Sequence, residues 1–216
     1  MRHPLLASYP RRGGPVLLLL AAGLQPTPHA FAGADPMGIA LSEVALPTTE
    51  SAVAPEVNPP GDIPDSQVFI RYNSTSGGFS LEVPEGWART QSPAATTATA
   101  AQWARWIDKL DGVIVTVAPA AAAPSTDAIR TTLDSASRAV IVDKVQAIQL
   151  PMGSVFRADF HANSDPNPVT SKQVRLEEAA WFCFRGGKLL TLTVWAPAGA
   201  DNVDQWDRMS KSLRWK

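Results

Sequence analysis

The part of this chain that can fold contains one imidazole. His3 and His29 lie in the first thirty residues, so His161 alone could serve general acid–base chemistry, with Asp159 or Asp165 to orient it and a serine as nucleophile. A hydrolase of that kind often sets its serine in a Gly-x-Ser-x-Gly turn, and the sequence has none. Near the end of an expected strand, His161 reads better as a rim residue. A histidine- or cysteine-based zinc site needs three or four such ligands, and His161 and Cys183 are too few to build one. Cys183, the single cysteine, has no partner for a bridge and reads as a buried small apolar residue.

Two carboxylates can divide acid and base roles when their environments separate their affinities for the proton. Glu177 and Glu178 are adjacent on a strand and point to opposite faces, while Asp108 and Asp111 flank a turn. Both pairs are expected to be solvated charge. Asp201-Asn202-Val203-Asp204 sets oxygen ligands at alternate positions, as the start of a calcium loop does, but the central glycine and distal glutamate are missing and Asp207 falls on a helix. Helix capping explains these residues, which leaves Asp201 and Asp204 as weak cation candidates. No catalytic residue, no cofactor site and no cofactor are expected.

All seven tryptophans follow residue 86, more than a core of this size needs. Trp87, Trp106, Trp181, Trp195 and Trp215 are the candidates for contact with a partner or with sugar rings, since aromatic side chains anchor interfaces. Strand alternation is read as placing Trp181 and Trp195 together on the face opposite Phe182 and Val194, under a helix.

These residues need elements to hold them. Val68 to Tyr72 and Phe79 to Val83 form a hairpin across the turn at 73–78, and Pro84-Glu-Gly-Trp87 ends it. Strands are expected over Thr97 to Ile107, Val113 to Val117, Val145 to Leu150 and Ser154 to Ala162. A helix capped by Ser125 or Thr126 should run to about Val140, with Ile129, Leu133, Ala136 and Val140 on one stripe. Residues 173–185 and 188–196 pair across Gly186-Gly187, a two-residue turn of positive φ. A last helix starts at Asn202, with Gln205 completing a capping box and Val203, Trp206, Ser210 and Leu213 inward. Seven or eight strands with a helix in the middle and one at the end make an α+β fold, a predominantly antiparallel sheet flanked by helices.

Charge divides the 216 residues into three parts. Residues 1–32 carry Arg2, Arg11 and Arg12 and no acid, then an apolar run from Pro15 to Leu24 and an Ala30-Phe31-Ala32 cleavage pattern. That is a signal peptide, with cleavage after Ala32 or Ala34 and either a general or a twin-arginine export route, its apolar run too short to span a bilayer. Residues 33–66 hold six acids, no base and many prolines, and read as an acidic disordered tether. Residues 67–216 form the domain, with 16 bases and 14 acids and so no basic footprint for nucleic acid. Asn73-Ser-Thr75 fits a glycosylation sequon.

The segment Gly-Phe-Ser-Leu-Glu-Val-Pro-Glu-Gly-Trp at 78–87, and Gly-Gly-Lys-Leu-Leu-Thr-Leu-Thr-Val at 186–194 followed by a loop and a short helix to Ser212-Leu213, resemble PsbP/Mog1-like domains over roughly residues 68 to 215. The resemblance implies an antiparallel sheet sandwiched by helices and a non-catalytic binding or assembly role, at photosystem II if the source is photosynthetic. His161, standing alone, gives no clear match to the metal-binding histidines of the photosynthetic branch. The expected protein is therefore exported, non-enzymatic and monomeric, with a protein partner in the envelope or extracellular space. A carbohydrate- or cell-wall-binding module using tryptophan and a small hydrolase using His161 are the alternatives.

Overall fold

The computed structural model describes residues 50–54, 60–93 and 101–216. The signal-peptide reading of 1–32 and the tether reading of 33–49 and 55–59 lie outside them.

In chain order the elements are β1 (Phe69–Ser74), β2 (Phe79–Pro84), β3 (Ala88–Gln91), β4 (Gln102–Asp108), β5 (Asp111–Pro119), α1 (Thr126–Asp134), β6 (Ile141–Leu150), β7 (Gly153–Asn163), β8 (Arg175–Arg185), β9 (Lys188–Pro197), α2 (Val203–Ser212) and β10 (Arg214–Trp215). Seven strands make one sheet in the order β3-β4-β5-β9-β8-β7-β6, and β1-β2-β10 make a second. Every pairing is antiparallel. The fold is α+β, as expected, with two short strands, β3 and β10, that the sequence pattern does not announce.

Strand alternation divides the large sheet between two cores. One face carries Ala104, Trp106, Val113, Val115, Leu190, Leu192, Val194, Ala179 and Trp181 against Phe79, Leu81 and Val83 of the small sheet and Trp206, Met209 and Leu213 of the α2 region. The other carries Ala158, Phe160, Ala180 and Phe182 against Ile129 and Leu133 of α1. Strands covered on both sides, such as β5, therefore read as nearly continuous apolar runs.

The hairpin turn corrects one expectation. Gly186 and Gly187 adopt φ of 55° and 73° as expected, and the turn sets Arg185 opposite Lys188. Odd residues of β8 then face even residues of β9, so Trp181 stands opposite Leu192 and Glu178 opposite Trp195. Trp181 and Trp195 lie on opposite faces, and Val194 shares the face of Trp181.

Both helices depart from their expected limits. Ser125 caps α1, its Oγ accepting from the Ala128 N–H at 3.1 Å, yet the helix stops at Asp134 rather than near Val140. Tertiary bonds take the backbone there: the Arg138 carbonyl accepts from the Asn163 N–H at 2.7 Å, and Ala139 has a φ of 48°. In α2, Trp206 and Met209 face the core and Val203 is 61% exposed. The capping box does not form. The Asn202 amide is buried and bonds backbone outside the helix, accepting from the Ile63 N–H and donating to the Gly61 carbonyl, each at 2.7 Å. Gln205 donates to Asp65, and Asp62 accepts from the Asp201 N–H.

Residues 60–66, in the span read as tether, are thus bound to the domain, with Ile63 in the main core. Residues 50–54 also make contacts: the buried Asn163 amide bonds the Ser51 carbonyl, the Val53 N–H and Glu50. These strap contacts have a measurable weight. Asn202→Ala leaves the Gly61 carbonyl and the Ile63 N–H unpaired and is expected to cost about 1–3 kcal/mol in urea unfolding. A midpoint equal to that of the unaltered protein would remove this role.

Candidate functional site

The two sheets stack but do not close, and the opening lies between the free edges of β1 and β3. Among the described residues, β1 pairs with β2 alone and β3 with β4 alone. Pro84 and Glu85 end β2, and Gly86 takes a φ of 88°, a conformation that suits glycine. This turn delivers Trp87, half-buried, to the mouth of the opening. Trp106 enters from β4 on the core face, directly opposite Arg89 of the β3 edge. Tyr72 enters from β1, its ring edge-on to Trp106 with centroids 4.9 Å apart. Its hydroxyl and the Gln91 Oε1, 3.0 Å apart, link the two edges through side chains where no backbone ladder does.

Trp87, Trp106 and Tyr72 line a cavity of about 400 Å³ together with Ile70, Arg71, Val83, Pro84, Gly86 and Arg89. Its walls are aromatic and apolar, and Arg89 brings a guanidinium to it; Arg71 borders it from β1 but turns its own guanidinium to the outer face, toward Ser80, Glu82 and the Ser212 carbonyl. Arg71 pairs with Glu82 at 2.9 Å, and Arg208 shares the same carboxylate at 3.2 Å. Burial pushes the Glu82 carboxyl up, and the two arginines outweigh it, holding the group below its ordinary value. Arg89 lies 5.1 Å from the Tyr72 ring centre and has no carboxylate partner among the described residues. Among the described residues no carboxylate, thiol or imidazole lines the cavity, and its one hydroxyl, that of Tyr72, is 3.0 Å from Gln91 Oε1. Its walls offer aromatic faces to an apolar group and, at Arg89, a positive charge to an anion.

Of the five tryptophans singled out in the sequence, this site brings together Trp87 and Trp106. Trp181 and Trp215 are buried at 1% and 7% exposure, so neither can belong to a surface platform; Trp106, at 3%, forms cavity wall only. Large aromatic rings fill the core where the two sheets meet, which accounts for their number. Trp195, half-buried, lies on the far face beneath the Arg105 guanidinium at 5.1 Å. Its ring covers Gly112, where an added Cβ would come within 2.0 Å of it. Tyr72, Arg71 and Arg89 carry no sequence signal of their own. They gain meaning when the β1 and β3 edges face each other.

The remaining candidates lie elsewhere. His161 Nδ1 is 2.9 Å from Asp143 Oδ2, not paired with Asp159 or Asp165, and no serine is hydrogen-bonded to it among the described residues. A bulge in β6 leaves Asp143 out of the ladder, next to His161. Asp201 and Asp204 are exposed, and no group of residues able to hold a metal ion occurs among the described residues. Glu178 and Asp111, expected to be solvated, are buried at 2% and 5% exposure. A salt bridge to Arg138 accounts for the first, and packing of the 60–66 strap for the second. Cys183 is buried as expected, and burial raises its thiol above the ordinary range. No described helix is long and apolar enough to cross a membrane.

No protein-family model and no curated protein matches the chain. Solved structures similar to it include cyanobacterial PsbP from Synechocystis, at 14% identity and a TM-score of 0.47, covering 72% of this chain and 98% of that one. The Ran-binding protein Mog1p of Saccharomyces cerevisiae is 10% identical with a TM-score of 0.42, covering 69% and 96%. A Pseudomonas aeruginosa protein of unknown function is 13% identical with a TM-score of 0.39, covering 68% and 97%. PsbP and Mog1, the two names joined by the resemblance at 78–87 and 186–213, are thus both among the similar folds. At these identities and scores, none of the three assigns a role to any residue here.

Proposed function

We propose that this chain is an exported, non-enzymatic protein-binding module that receives a segment of its partner in the opening between β1 and β3. The observation that carries the proposal is the cavity: Trp87 stands half-open beside Trp106 and Tyr72, and Arg89 has no carboxylate partner among the described residues. Half-buried aromatic side chains with a nearby arginine are the groups that anchor protein interfaces. The leader-like pattern of residues 1–32 supports the exported location.

The test cross-links the full-length protein in envelope fractions of its source and compares it with Trp87→Ala. Trp87 is expected to act as an anchor whose loss weakens partner capture by about 2 kcal/mol, roughly thirtyfold. Thermal unfolding of each variant reports any loss of folding, and Arg89→Glu, altered at an exposed edge, gives a second variant with its core intact. Equal capture by all three proteins would place binding elsewhere, and turnover of a substrate by pure protein would end the non-enzymatic reading.

A further inference from the structure

We infer that the occupant of this opening is an extended, acidic segment of a partner protein that joins the free edge of β1 as an added strand. The inference rests on the opening being the binding site.

The backbone argument concerns the edge. Among the described residues no strand pairs with β1 on the side away from β2, and an unpaired edge of this kind attracts further strands unless it is blocked. Apolar side chains accentuate this: Ile70 is 47% exposed, and Val68, just before the strand, 58%. In the β1–β2 register, Ile70 stands opposite Val83 and Tyr72 opposite Leu81, so both belong to the face turned toward the core. Ile70 is open to solvent because that face extends past the core at the β1 edge. A strand laid beside β1 would set its alternate side chains on this overhang, against Ile70, Trp87 and the cavity wall. The other side chains would lie beside Arg71 on the outer face.

Charge selects the sequence of that strand. Arg89 brings a guanidinium without a carboxylate partner to the cavity, Arg71 carries its own on the outer face of the same edge, and among the described residues no carboxylate lines the cavity. Glu82, next to it, is shared by Arg71 and Arg208, two cations to one anion. Arginines on an open edge discourage neutral or basic strands from pairing there. A strand with carboxylates at alternate positions converts this barrier into selectivity.

The test titrates the full chain with three octapeptides that alternate valine with glutamate, serine or lysine. Isotope-edited NMR of the β1 amides and the Trp87 and Trp106 indoles follows binding. The glutamate peptide is expected to bind roughly tenfold or more tightly than the serine peptide, with the gap narrowing as salt is raised, and the lysine peptide weakest. Arg89→Glu is expected to narrow the gap between the glutamate and lysine peptides, since it removes a positive charge within a Debye length of the added strand. N-methylation of the glutamate peptide at alternate amides should cost roughly tenfold in one register and little in the other, since only one set of N–H groups faces β1. Equal affinity for all three peptides would overturn the acidic preference, and equal tolerance of both methylation registers would overturn the added strand. If no peptide binds while Trp87→Ala still loses the cross-linked partner, the site stands and this occupant is wrong. Concentration-dependent dimerisation that none of the peptides displaces would make the edge a contact between two copies and would also overturn it.

Discussion

Replacing Arg138 with methionine is expected to cost about 3–5 kcal/mol at neutral pH, because it leaves a buried carboxylate without its counter-ion. Glu178 is 2% exposed, set between Phe160 and Trp195 on neighbouring strands beneath the α1 side of the sheet. Its salt bridge is to Arg138, whose Nε also donates to the Asn163 carbonyl at 2.7 Å. Burial raises Glu178 above the ordinary carboxylate range even with the pair intact; Arg138 opposes that rise, Asp165 adds to it and Arg175 opposes it. A carboxyl whose folded value is raised keeps a proton that the unfolded chain gives up. The folded state therefore loses stability as pH climbs from the ordinary carboxylate range through the raised value. Without Arg138 the raised value climbs further, so the cost of Arg138→Met should shrink as the pH falls from neutral toward the ordinary carboxylate range, where a proton relieves the stranded charge. Adding Glu178→Gln removes the stranded charge, and the double variant should recover most of the loss. Urea unfolding of the three variants at pH 5 and 7.5 decides the matter. A cost below about 1 kcal/mol at both pH values would show that the pair does not carry a buried charge.

That pair marks a boundary of what sequence shows. Adjacent glutamates on a strand must point to opposite faces, and Glu177 and Glu178 do. Which of the two is buried depends on where α1 ends and where the 135–140 connection places Arg138, and neither has a local signature. The strap shows the same limit: Asn202 bonds backbone 139 and 141 residues away, so its role as a clamp leaves no spacing pattern, while its helix-capping pattern is plain and misleading. The turn at Gly186-Gly187 is a different case. Its two-residue length dictates odd-to-even pairing across the hairpin, so the separation of Trp181 from Trp195 was present in the residue numbers and was misassigned by parity. The site divides along similar lines. Trp87 is visible as a large aromatic after a Pro-Glu-Gly turn, and Trp106 as one of a pair on a strand. Tyr72, Arg71 and Arg89 are ordinary strand residues until two sheets stack with two edges left open, a long-range event that neighbouring residues do not encode.

Substituting asparagine for Asp111 is expected to remove most of the stability difference this residue creates between pH 5 and pH 8. Asp111 opens β5 opposite Asp108, is 5% exposed, and has an Oδ1 with no hydrogen-bond partner among the described residues. The strap packs closely on it: a Cβ added at Gly61 would stand 2.4 Å from that oxygen. Burial first, then the charge of Asp108, raise the carboxyl; Lys109 opposes the rise and Asp62 adds to it, leaving it at about 7 against an ordinary 3.8. Between those values the folded chain holds a proton that the unfolded chain has released. Stability falls across that window and levels off above it. A displacement of this size corresponds to at most ~4 kcal/mol, and solvent screening at a turn next to Asp108 and Asp62 reduces it to about 1–3 kcal/mol. Asparagine keeps the shape and carries no proton to lose, so any packing cost of its own is the same at both pH values and cancels in the comparison. Thermal unfolding of Asp111→Asn and the unaltered protein at pH 5 and 8 measures the effect. Exchange of the Ile63 amide locates it, because a charge forming beneath the strap should loosen the bond from Ile63 to Asn202 before the sheet opens. If the two proteins lose stability equally between pH 5 and 8, Asp111 is not the group that titrates, and the strap is held without regard to its charge.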